Sequence, residues 1–174
     1  DFQRIDLYAE NENMYRDEDG NPRPLARVNG QVRLRYQGFD HMETVLGYGG
    51  QLRSFEAVFG PRQSDGNPVP AWNRSTGNVI PQTIDHWKQY DIVNLLEQNW
   101  NEWKPNLAGR IHVHMGTEDT FYLEGATQLL QESMIKLGEP DAVTMHEGKT
   151  HGSVLTQELM KQIGKEISTH YQKY

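Results

Sequence analysis

Cysteine is absent from the sequence, which removes a disulfide framework, a thiolate zinc site and a thiol nucleophile together. No run of about 18 apolar residues is present to cross a bilayer, and no basic-then-apolar leader opens the chain. Neither a membrane span nor an export signal is therefore expected, and the chain reads as soluble, cytoplasmic or periplasmic. Lys and Arg form no block; at 17 they are outnumbered by 24 Asp and Glu, for a net charge of -7. A phosphate-neutralising surface is missing, so nucleic acid is not an expected partner. Apolar residues are scarce as well, at 36% with a mean hydropathy of -0.80. Four Trp and eight Tyr nevertheless set the 174 residues apart from a disordered chain and supply one domain with a core. The first residue is Asp1 rather than Met, and the expectation is a piece cut from a larger polypeptide.

Residues 1–104 and 105–174 read differently. The first stretch is polar and rich in turn signals, with Asp-Gly-Asn-Pro at Asp19 to Pro22 and again at Asp65 to Pro68. Val32, Leu34 and Tyr36 alternate with Arg33 and Arg35, the period of a half-buried strand. From about Gln82 to Trp103, apolar residues recur every three or four positions behind Pro81, and Asp91 is placed to cap a segment within. That predicts one short strand and one or two helices in a loop-rich excursion.

The second stretch alternates strand and helix. Ile111, Val113 and Met115 share one face of a strand that runs into Gly116, with His112 and His114 on the other. Thr120 is placed to cap a helix carrying Leu123, Ala126, Leu130, Met134 and Leu137, closed by Gly138 and Pro140. Ala142 to Met145 makes a second strand, and Leu155, Leu159, Ile163 and Ile167 line a last helix. This order predicts an α/β fold, a short parallel sheet with flanking helices.

Parallel strands joined by a right-handed crossover end on one edge of the sheet, where functional groups gather. Asp119 follows the first strand and His151 the second, so 32 residues of separation collapse to the spacing of adjacent strands. A buried carboxylate bonded to a His ring fixes its tautomer and stabilises the imidazolium, two of the three parts of a serine hydrolase triad. Glu118 is the competing carboxylate.

Gly116 to Leu123 (GTEDTFYL), Glu147 to Gly152 (EGKTHG), the Trp87-x-x-Tyr90-Asp91 segment and the Gly-Pro-Arg at Gly60 give the chain its likeness to a known family. It resembles bacterial esterases of the α/β-hydrolase superfamily, related to esterase D and feruloyl esterases, most strongly from about Trp87 onward. The resemblance implies the C-terminal part of an α/β-hydrolase fold, Asp119 as acid and His151 as base, no cofactor or metal, and a small-molecule ester substrate. Such enzymes carry their serine in Gly-x-Ser-x-Gly, in the chain order serine, acid, His. That motif is absent: Ser54 and Ser75 lie in other contexts, and Ser153, after Gly152, is read as opening a helix.

With serine and oxyanion hole missing, this chain is expected to be inactive alone and to associate through an exposed sheet edge with a missing N-terminal portion or another copy of itself. The alternative is a non-catalytic binding or assembly domain derived from a hydrolase. Other patterns read more plainly. His112 and His114, with His86, His146 and Glu147 nearby, offer metal-ligand types without a third ligand fixed by spacing. Asp17, Asp19 and Asn21 depart from a calcium loop because Gly20 is misplaced and a bidentate Glu is lacking. Asn73-Arg74-Ser75 matches a glycosylation pattern. Trp72, Trp87, Trp100 and Trp103 could line an aryl or sugar cleft, but the spacing of the last three places them in the core.

Overall fold

The computed structural model describes residues 3–47 and 49–171, leaving Asp1, Phe2, Tyr48 and residues 172–174 outside the description. Its first half opens on an antiparallel hairpin of β1 (Pro24–Val28) and β2 (Gln31–Arg35). Asn29 and Gly30 connect them, both with positive φ at 51° and 73°, the two-residue turn whose twist matches paired strands. The expected strand is present, but it is not half-buried. Every residue of β2 is exposed, because β1 alone faces inward and buries Leu25 and Ala26. Tyr36 is buried as the first residue of a helix rather than the last of a strand.

That helix, α1 (Tyr36–Leu46), and the next, α2 (Gln51–Phe59), correct the expectation of one strand and one or two helices in the first stretch. Their inward faces are carboxylates: α1 buries Asp40 and Glu43 beside Tyr36, and α2 buries Glu56 beside Leu52. Each is satisfied. Asp40 accepts from Tyr15 Oη, from Arg53 at 3.1 Å and from Arg74 at 3.2 Å. Glu43 accepts from the backbone N–H of Leu52 at 3.1 Å and so caps α2. Glu56 accepts from Ala71 N at 2.7 Å and pairs with Arg74. Around these acids packs one core of Ile5, Met14, Tyr15, Leu25, Tyr36, Leu52, Ala71, Trp72 and Ile84.

α3 (Pro81–Trp87) leads through one 3-10 turn (Lys88–Tyr90) into α4 (Ile92–Leu107). Pro81 stands at the start of α3, and Asp91 caps α4 by accepting from Asn94 N at 3.1 Å, both as expected. β3 (Val113–Gly116) and β4 (Val143–His146) pair in parallel, with Val113 opposite Val143 and Gly116 opposite His146. α5 (Glu124–Lys136) crosses between them, and Gly138 turns the chain with φ at 88°. Leu96, Trp100, Met134, Ala142 and Val143 form the second core, with Trp103 packed against it. Trp72 and Trp100 are thus core residues, and Trp87 and Trp103 pack, partly buried, against the first and second cores.

α6 (Gln157–Tyr171) starts later than Ser153, which lies in a turn, and Thr156 Oγ1 accepts from Leu159 N at 3.1 Å. Of its expected apolar face only Leu159 is fully buried, while Leu155 and Ile167 stay exposed. The architecture is mixed α/β, two two-stranded sheets among six helices in the described residues. Among those residues no helix is long and apolar enough to cross a membrane.

A candidate acid–base site at the ends of β3 and β4

β3 and β4 end side by side, and the two loops that leave them are tied together. Thr117 N donates to His146 O at 3.0 Å, Glu118 N to Lys149 O at 2.9 Å, and Gly148 N to Thr117 Oγ1 at 2.9 Å. Gly116 makes this approach possible, since a Cβ there would lie 2.1 Å from Lys149 O. The 150–153 turn is held by Thr150 N donating to Ser153 Oγ at 2.8 Å. Sequence positions 119 and 151 are thereby brought into one site.

Asp119 is fully buried, and its Oδ2 lies 2.8 Å from His151 Nδ1. The other oxygen, Oδ1, accepts from Phe121 N at 2.8 Å and Leu123 N at 3.3 Å. Thr120, expected to cap the following helix, does not; α5 begins after Leu123, and Asp119 serves the backbone turn as well as the imidazole. A carboxylate facing Nδ1 places the ring proton there, leaving Nε2 with its lone pair. The His151 side chain is 52% exposed, and the Phe121 ring stands edge-on to it with centroids 5.1 Å apart. A buried acceptor and a half-exposed base can hold an imidazole in one tautomer and move a proton at its outer nitrogen.

Glu118 is not brought to the imidazole: it is half exposed and lies 3.6 Å from Arg27. Arg27, on β1, was not singled out by sequence reasoning. Its Nε donates to the Asp119 carbonyl at 2.9 Å, its Nη2 to Glu124 Oε1 at 3.0 Å, and its backbone N–H to the Thr120 carbonyl at 2.8 Å. The same guanidinium lies 4.7 Å from the Tyr122 ring centroid. The Asn29-Gly30 pair between Leu25–Val28 and Val32–Leu34 was the available signal, because it marks a hairpin and hence a strand carrying Arg27.

The other candidate ligands do not converge. His114 Nδ1 lies 3.1 Å from His146 Nε2, whereas His112 Nδ1 is 3.8 Å from Glu166. Burial, and then His146, holds the His114 imidazole below its ordinary pKa. Among the described residues no three or more His, Asp or Glu side chains are arranged to hold a metal ion. Asp17 and Asp65 instead organise the two Asp-Gly-Asn-Pro turns, accepting from Asn21 N at 2.7 Å and Asn67 N at 2.9 Å. These backbone bonds hold both carboxyls below the usual range. Asn73 likewise caps its own turn, accepting from Ser75 N at 2.9 Å, while Arg74 turns inward to Asp40 and Glu56.

No protein-family model, curated protein or solved structure matches the chain. What fold and site define is a mixed α/β protein with a carboxylate–imidazole pair at the carboxyl ends of two parallel strands.

Proposed function

We propose that this chain carries the acid and the base of an esterase-like serine hydrolase, as the C-terminal part of an α/β-hydrolase fold. The observation that carries the reading is the 2.8 Å contact from a fully buried Asp119 to a half-exposed His151. His151 Nε2 removes the proton of an attacking serine, the serine oxygen bonds to the carboxylic ester carbon, and the same proton passes to the departing alcohol. Water then cleaves the acyl-enzyme by the reverse relay, and Asp119 stabilises the imidazolium in both halves. The serine comes from polypeptide outside these 174 residues, as do the oxyanion donors, each of which is worth about 3 kcal/mol of transition-state stabilisation.

The sheet supports this division of labour. Among the described residues β3 and β4 pair only with each other, so each keeps an outer edge on which a further strand can be added. The missing N-terminal portion, or a second copy of the chain, would occupy such an edge. The test is to treat the purified sample with a fluorophosphonate, record intact masses of every polypeptide, and follow turnover of an activated ester. A labelled partner polypeptide, with turnover abolished by His151→Ala, is the expected result.

An unlabelled sample without turnover would replace this reading with a binding or assembly domain derived from a hydrolase. Ser153, the serine nearest His151 in sequence, has its hydroxyl engaged by Thr150 N at 2.8 Å.

A further inference from the structure

We infer that Arg27 is a positioning residue for the Asp119–His151 pair, acting from the β1–β2 hairpin on the backbone of the acid loop. The inference rests on the acid–base reading of that pair. Tyr122, three residues after Asp119, stands in the left-handed region with φ at 59°. A bulky residue holds that conformation only where its surroundings impose it. Here they do: the Tyr122 ring is buried with the Arg27 guanidinium 4.7 Å from its centroid, and Arg27 Nε grips the Asp119 carbonyl at 2.9 Å. The Arg27 side chain is itself only 13% exposed, and Glu124, 3% exposed, balances its charge. A planar fork thus fixes the loop's carbonyl and ring together, which sets the direction of the Asp119 carboxylate.

Arg4 supplies an internal control. It pairs with the same Glu124 and lies 5.2 Å from the same Tyr122 centroid. It makes no hydrogen bond to Asp119 among the described residues, and its side chain is 53% exposed.

The test is NMR of the 174-residue chain carrying 15N-labelled histidine, reading exchange of the His151 Nδ1 proton with water. Arg27→Ala is expected to speed that exchange about tenfold or more, with the His114 and His146 ring signals of the same strand pair unmoved. Arg27→Lys, which keeps the charge beside Glu124 but loses the fork, is expected to behave like Arg27→Ala. Arg4→Ala is expected to leave exchange unchanged.

Unchanged exchange in Arg27→Ala overturns the inference. So does an equal effect of Arg4→Ala, which would place the control in Glu124 and Tyr122. Loss of the His114 and His146 signals in both Arg27 variants overturns it too, by making Arg27 a general contact of the fold. Failure of the esterase reading shows in the probe-labelling experiment and leaves these ring signals as they are. Absence of a protected Nδ1 proton in the unsubstituted chain would instead remove the pair, and this inference with it.

Discussion

The Lys149 carbonyl occupies the place a side chain on Gly116 would need, 2.1 Å from where its Cβ would stand. The loops carrying Asp119 and His151 touch because one residue at the end of β3 has no side chain.

Gly116→Ala is therefore expected to push the 148–151 loop away and to lower stability by about 1–3 kcal/mol. The urea midpoint measures the first-order cost, and the His151 ring signal reports whether the pair parts. A variant with unchanged midpoint and ring signal would show that the loop yields freely.

Asp119→Asn offers a carboxamide to the turn and to the imidazole, which favours the wrong tautomer. Under the proposed function, its turnover of an activated ester is expected to fall by up to ~10⁴-fold. Glu118→Gln, changing a half-exposed carboxylate beside Arg27, is expected to leave turnover near its starting value. Steady-state ester kinetics decide between them, and the reverse ranking removes Asp119 from its role.

His114 gives the fold a pH dependence of known sign. Its folded pKa lies below the ordinary 6.5, mainly through burial and then through His146. The unfolded chain thus binds the proton more readily, and this contribution to stability is present above pH 6.5 and lost as pH falls from there through the folded value. His146 at 3.1 Å faces the ring across the sheet, and Glu166 and His112 act on it with opposite signs. Urea midpoints measured downward from pH 7 are expected to fall less in His114→Gln than in the parent; parallel curves would remove His114 as the cause.

Glu56 runs the opposite way. Burial raises its carboxyl above the ordinary 4.5, while Ala71 N–H, Arg74 and Arg53 oppose that rise. Because the folded chain now holds the proton more tightly, the contribution is full below pH 4.5 and is lost as pH rises through the folded value. Glu56→Gln is expected to flatten the stability curve over that window, as read by urea titration at several pH values. A curve unchanged in slope would locate the pH dependence elsewhere.

Much of the second half was legible because its residues obey local rules. Gly116, Gly138 and Pro140 punctuate, Ile111, Val113 and Met115 alternate with His112 and His114, and strand, helix, strand in that order leaves few topologies open. The first half was harder for a specific reason. α1 and α2 turn Asp40, Glu43 and Glu56 inward, and a stripe of carboxylates does not register as an apolar face. β2 misleads in the other direction, since Val32 and Leu34 alternate correctly and yet both face solvent on a two-stranded ribbon.

By itself the sequence determined the mixed α/β order and the Asp91 cap, both consequences of spacing along the chain, and it made Asp119 and His151 candidates through their places after the two strands together with a family resemblance. Only the tertiary structure decided that Asp119, not Glu118, meets the imidazole. It alone decided that Asp119 also caps its own turn, and that an arginine 92 residues earlier grips its carbonyl. Those relations depend on which backbone groups need partners once loops pack against each other, and such needs exist only in three dimensions.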